Sequence, residues 1–125
     1  MMNRILVTVG MLALLGFSQC KKEENDNYTV AFYNETDSAD VNLFINDVDK
    51  GDLPYIMAGA DDCNDARALR LALEEGSHHL QVKDASGNVK ADMNMELNAD
   101  GEINTITGSH TYIQFNKCVT VGIGY

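Results

Sequence analysis

Residues 89 to 97 alternate without a break. Val89, Ala91, Met93, Met95 and Leu97 are apolar, while Lys90, Asp92, Asn94 and Glu96 are polar or charged. A period of two places successive side chains on opposite faces of a strand and does not fit the 3.6-residue stripe of a helix. Such a segment needs a core on one side and water on the other. The same rhythm runs through Tyr28, Val30 and Phe32, through Val41, Leu43 and Ile45, and through Ile113, Phe115, Val119, Val121 and Ile123, where Lys117 interrupts it. Turn formers separate the runs: Asp49-Lys50-Gly51-Asp52, Ala85-Ser86-Gly87-Asn88 and Asn98-Ala99-Asp100-Gly101. Short alternating strands with such punctuation predict an all-β chain folded as an antiparallel β-sandwich of about seven strands. Residues 28–125 form one domain of a length that suits a single modest core.

Residues 65–76 read two ways. Asp65 and Gly76 could cap a helix of good propensity between them. Against this, Leu69, Leu71 and Leu73 alternate, and on a helix Leu71 would point away from the other two. The strand reading is the stronger. The stretch Leu71-x-Leu73-x-x-Gly76-x-His78-x-Leu80-x-Val82 resembles the hairpin of PEGA-type and other immunoglobulin-like surface modules. In those modules a strand, a tight glycine turn and a second strand precede a turn like Asp84-Ala85-Ser86-Gly87. The resemblance implies an immunoglobulin-like or PEGA-like sandwich with Leu71 and Val82 on paired strands.

The first 26 residues carry a different signal. Met1-Met2-Asn3-Arg4 precedes an apolar run over residues 5–17, then Ser18-Gln19 and Cys20. A basic start, a short apolar centre and a small-residue end read as a secretory signal. The run is too short for a bilayer core, which takes about 20 apolar residues. With Cys20 at its end, the segment resembles the lipoprotein signals of Bacteroidota. That resemblance implies cleavage after residue 19, lipidation of Cys20, and a flexible tether over residues 20–27. Lys22-Glu23-Glu24 resembles the tail that directs such lipoproteins to the outer face of the outer membrane. The implied localisation is the outer membrane, lipid-anchored, at the cell surface, with the periplasmic face as the alternative. Asp37-Ser38-Ala39 resembles the O-glycosylation acceptor of exported proteins in that group, with Ser38 as the acceptor.

With Cys20 lipidated, Cys63 and Cys118 remain as an even pair in an oxidising compartment. Their spacing fits no CxxC redox motif, and two thiols are too few for a structural zinc site. A Cys63–Cys118 disulfide is expected, pinning the C-terminal strand to the polar loop before Leu69.

The mature side chains number eight basic and nineteen acidic, a net charge of −11. This field repels nucleic acid and anionic lipid headgroups, and no basic stripe offsets it. Adjacent His78 and His79 point to opposite faces of a strand and cannot share a metal, and core packing accounts for Met93 and Met95. Asp47, Asp49, Asp52 and Gly51 miss the calcium-loop pattern, because aligning Gly51 puts Val48 and Lys50 at ligand positions. Asp61, Asp62 and Asp65 read as an acidic loop around Cys63. The sequence has no GxSxG, HExxH or phosphate loop. The expectation is a non-enzyme without cofactor or metal: a lipid-anchored cell-envelope binding module for a protein or a glycan. The alternatives are a structural envelope lipoprotein without a specific ligand and, more distantly, a metal-binding periplasmic lipoprotein. Three or more rings on one open face, drawn from Tyr28, Tyr33, Phe44, Tyr55, Tyr112 and Tyr125, would mark a sugar platform.

Overall fold

The computed structural model describes residues 27–37 and 40–125. Cys20, the segment read as a signal (1–19) and Ser38 lie outside the described residues. Within them the chain forms nine strands and no helix: β1 (Asn27–Asn34), β2 (Val41–Ile45), β3 (Val48–Asp52), β4 (Leu69–Glu74), β5 (Gly76–Asp84), β6 (Val89–Leu97), β7 (Glu102–Thr107), β8 (Ser109–Phe115) and β9 (Cys118–Gly124). They build two sheets, ordered β4-β1-β9-β8 (sheet A) and β3-β2-β5-β6-β7 (sheet B), packed as an open sandwich. Every pairing is antiparallel except that of β1 with β9, which is parallel.

The alternating residues meet between the sheets. Sheet A contributes Val30, Phe32, Val119, Val121 and Ile123, and sheet B contributes Leu43, Leu80, Val82, Met93, Met95 and Leu97, all essentially without solvent exposure. Each large side chain buried this way contributes about 1.5–3 kcal/mol. A one-residue slip of any strand would turn this set to water, so the pattern fixes the register.

Nine strands, rather than about seven, arise at two places. The apolar run 113–123 is two strands, because Asn116 takes φ 58° and reverses the chain between Phe115 and Cys118. A further strand, β3, occupies residues expected to be a turn. The turn falls earlier, at Asn46-Asp47, where both residues have positive φ (51° and 69°) and join the paired residues Ile45 and Val48. A two-residue hairpin of the primed type requires that geometry, and Asn and Asp tolerate it better than other non-glycine residues.

The segment 71–82 is also corrected. Leu69–Glu74 is a strand, as the alternation indicated, but β4 and β5 do not pair as a hairpin. β4 pairs with β1 in sheet A, and β5 pairs with β2 and β6 in sheet B. The chain turns a corner at Gly76 (φ 126°) and turns another at Gly108 (φ 97°), where β7 of sheet B gives way to β8 of sheet A. A side chain is disfavoured at both angles, and a Cβ at Gly108 would lie 2.6 Å from the Gly124 carbonyl oxygen. Corners let Leu73 and Leu80 face the same core from opposite sheets.

Beyond the two sheets lies a partial third layer. Ala31, Tyr33, Ile56 and Cys63 are buried yet stand apart from the main core. By alternation Ala31 and Tyr33 sit on the outer face of sheet A, and residues 53–68 cover them. That segment begins beside β1: Asn34 N–H donates to the Pro54 carbonyl (2.7 Å), and Ile56 N–H donates to that of Asn34 (3.2 Å). Farther along it, Cys63 and Cys118 stand at disulfide distance, with Cα atoms 5.2 Å apart. A wholly buried amide supports the same region: Asn34 Nδ2 donates to the Tyr125 hydroxyl (3.1 Å), and its Oδ1 accepts from Thr36 N–H (2.8 Å).

Two measurements probe this layer. In the chain-entropy account, closing a loop across 55 residues stabilises the fold by about 4 kcal/mol. The Cys63→Ala/Cys118→Ala variant should therefore lose a few kcal/mol in denaturant unfolding. Non-reducing peptide maps of the natural protein should contain a single Cys63–Cys118 cross-link, and two free thiols would contradict the pairing. The second measurement uses the phenols. Burial, with a contribution from the Glu35 carboxylate, raises the Tyr33 hydroxyl above its ordinary pKa, and burial pushes Tyr112 up to about 12. The unfolded chain ionises these groups near pH ~10 while the folded chain holds its protons. This contribution is complete below pH ~10 and is lost as pH rises toward about 12. Phenolate absorbance should keep growing above pH ~10, and Tyr112→Phe should remove part of that late rise. Tyr112 ionising at its ordinary value would contradict its burial.

Candidate functional site

The outward side chains of sheet B are polar. Asn42 and Phe44 on β2 stand beside Lys83 and Gln81 on β5, and Gln81, His79 and Ser77 stand beside Asp92, Asn94 and Glu96 on β6. Most of these groups satisfy one another. His79 Nε2 lies 2.6 Å from Asp92 Oδ1, Gln81 Nε2 donates to Asp92 Oδ2 (3.4 Å), and Ser77 donates to Glu96 (2.5 Å). The face is flat at this level and offers no enclosed chemistry.

It deepens at one end. An open depression of about 460 Å³ is lined by Asp40, Asn42, Phe44, Asp52, Lys83 and Asp84, among others. A second, of about 400 Å³, shares Asp40 and Asp52 and adds Asp37, Pro54 and Tyr55. The two adjoin at Asp40 and Asp52 and make up an acidic groove. Two of its carboxylates fasten the backbone. Asp49 accepts from both Asn42 Nδ2 (3.1 Å) and Gly51 N–H (2.8 Å) where the β2–β3 register shifts, so the residues that miss the calcium pattern hold a bulge within the hairpin. Asp84 accepts from the N–H groups of Ser86 and Asn88 (2.9 Å each), and the Asn88 bond in particular holds its carboxyl below the usual range. Asp40 and Asp52 are exposed at the shared wall. Lys83 Nζ sits 4.5 Å from the Phe44 ring centroid, a cation–π contact that places the groove's own cation over this ring.

The remaining candidates disperse. His78 contacts the Glu74 carbonyl oxygen (2.7 Å) and His79 pairs with Asp92, while His110 Nδ1 lies 2.5 Å from the Thr105 hydroxyl on the opposite side of the sandwich end. Met93 and Met95 are buried in the main core. Asp65 is tied within its own loop, accepting from Arg67 through Nε (3.0 Å) and Nη2 (2.7 Å) and from Asp61 N–H (2.8 Å). The Arg67 hydrogen bonds, above all, hold the Asp65 carboxyl far below the ordinary carboxylate range. Among the described residues, no three His, Cys, Asp or Glu side chains converge as a metal site would require.

The aromatic residues also separate. Tyr28 and Tyr33 are buried, and Tyr112 and Tyr125 are partly so. Phe44 lies on the outer face of sheet B, and Tyr55, 39% exposed, lies in the 53–68 segment. Phe115, 77% exposed, lies on the outer face of sheet A. Among the described residues, three rings do not share one open face.

The groove escaped the sequence reading because its members come from distant segments. Asp40 precedes β2, Asp52 ends β3 and Asp84 ends β5. The one local signal was positional: Asp40 and Asp84 each flank an alternating run, while Asp52 lies in a stretch that reads as a turn.

No protein-family model matches the chain, and no curated protein or solved structure matches it.

Proposed function

We propose that this chain is a non-catalytic, lipid-anchored protein of the cell envelope. In this reading it is held at Cys20 on the outer membrane, on the surface face, and binds a protein partner through the acidic groove. The observation that carries the reading is the polarity of the domain. The chain enters the fold at Asn27, which pairs with Glu74 at one end of sheet A. The groove forms where β5 ends at Asp84, eight residues after Gly76. At about 3.3–3.4 Å per residue the two ends lie roughly 27 Å apart. An anchor before Asn27 therefore holds the groove away from the bilayer, where a partner has access.

The chemistry of the groove supports a cationic partner. Exposed Asp40 and Asp52 beside the ring of Tyr55 suit lysine or arginine side chains, through charge and ring contact. The separation of the exposed rings favours a protein segment over a stacked sugar. Among the described residues, no helix is long and apolar enough to cross a membrane. In this reading the acyl chains supply the attachment, each buried CH₂ contributing about 0.8 kcal/mol.

Two experiments test this reading. Cys20→Ser should move the protein from the membrane to the soluble fraction, and the natural protein should carry acyl mass on Cys20. Membrane retention of the variant, without acyl mass on the natural protein, would refute the anchor. A photo-crosslinking residue at Tyr55 on intact cells should trap a discrete partner, and Asp40→Lys/Asp52→Lys should abolish the adduct. An adduct that survives the charge reversal would move the binding site elsewhere.

A further inference from the structure

From Ile103 to Asn116 the chain contains no Asp, Glu, Lys or Arg, the longest such run in the domain. It builds β7 and β8, the strands on either side of the Gly108 corner. β8 is an edge of sheet A. Edge strands are normally protected by charge, proline or bulges. The other three edges carry charge: Asp49, Lys50 and Asp52 on β3, Arg70 and Glu74 on β4, and Glu102 on β7. β8 has none of these protections, and it presents Ile113 and Phe115, 61% and 77% exposed, on one face.

The position of this patch follows from the β1–β9 pairing. Phe115 is in register with Cys118, and Cys118 with Thr29. At about 4.8 Å per strand, Phe115 lies roughly 10 Å from the strand through which the chain enters the fold. Thr29 N–H also donates to the Lys117 carbonyl (2.9 Å), fixing the β8–β9 turn beside that strand. Lys117 is the one charged residue between 103 and 125. The most exposed ring among the described residues and a cation thus share the end nearest the chain's start. Seven peptide units separate Cys20 from Asn27. Whatever their conformation, they keep the two Cα atoms within roughly 25 Å of each other.

We propose that the β8–β9 hairpin is a second membrane contact, with Phe115 and Ile113 entering the interfacial layer of the bilayer and Lys117 at the level of the lipid phosphates. The proposal rests on the Cys20 anchor. The acidic groups of this end permit it if the domain leans on its β8 edge. Glu74 lies three strands away on β4. Cys63 is held with its Cα 5.2 Å from that of Cys118, so its acidic segment flanks this patch, but Asp61 and Asp65 there are paired with Arg67 (3.8 and 2.7 Å). Asp100 lines a depression with Lys117 and partly offsets its charge. The outer face of sheet B, with Asp49, Asp92 and Glu96, turns away from the lipid in this pose.

The chain contains no tryptophan, so Phe115→Trp introduces a single indole reporter. The acylated full-length variant is placed in phosphatidylethanolamine/phosphatidylglycerol vesicles containing lipids brominated high on the acyl chain. Its emission should shift to the blue and lose most of its intensity. The same measurement with Tyr55→Trp, at the far end, should show neither effect. Phe115→Trp in a Cys20→Ser background should remain unquenched, because the hairpin acts only once the anchor concentrates it at the surface. If the acylated, vesicle-bound Phe115→Trp protein emits as it does in buffer, the contact is overturned and the anchor stands. Protein without acyl mass that stays in buffer overturns both. A blue shift without quenching that grows with protein density assigns the β8 edge to another copy of the chain and overturns the lipid contact.

Discussion

The parallel pairing of β1 with β9 is the constraint from which the rest of the geometry follows. It joins the first strand of the domain to the last over six register pairs, from Thr29 with Cys118 to Asn34 with Ile123. Parallel strands cannot be joined by a tight turn, so the whole intervening chain must travel out and back. It does so through sheet B, leaving sheet A at the end of β1 and returning to it first as β4 and then as β8. The main core is the volume that this path encloses. The same pairing puts the β8–β9 turn next to the start of β1 and the C-terminal Tyr125 next to Asn34.

The 53–68 segment depends on that arrangement. A loop of this length without regular structure is unusual in a compact domain and normally needs a reason. Here it shields the outward side chains of β1, Ala31 and Tyr33, which a two-layer sandwich would leave in water. It is fastened along its course by the backbone bonds of Asn34, by Cys63 against Cys118, and by Asp65 gripping Arg67. Sheet B has no such cover, and its outer face is accordingly polar. The two faces of the sandwich are unequal for this reason: one is partly sealed and the other is open and acidic.

Much of the fold was legible because one physical signal, alternation, dominates it. Met93 and Met95 could be placed in the core from their neighbours alone, and Leu69, Leu71 and Leu73 could be placed on a strand against a competing helix propensity. Pairing partners were less accessible. The Gly76 turn looks the same in sequence whether the next strand pairs beside the last or crosses to the opposite sheet, and only tertiary packing separates the two. Asn46-Asp47 lacks the glycine that usually marks a primed turn, while Gly51 nearby drew attention to the wrong place. Ile56 gave no periodic signal because its neighbours Tyr55 and Met57 are hydrophobic yet exposed, and only what Ile56 covers buries it. The groove is legible only in three dimensions, since Asp40, Asp52 and Asp84 meet through strand order and share no motif.

The placement of β1 has a mechanical consequence. Any pull transmitted through Asn27 runs along the axis of β1, which has β4 on one side and β9 on the other. Such a load shears both ladders together, so their hydrogen bonds resist collectively and cannot be unzipped one pair at a time. A strand at the edge of a sheet, pulled across its axis, would peel. Tension on the chain's start therefore meets the sandwich in its most resistant direction.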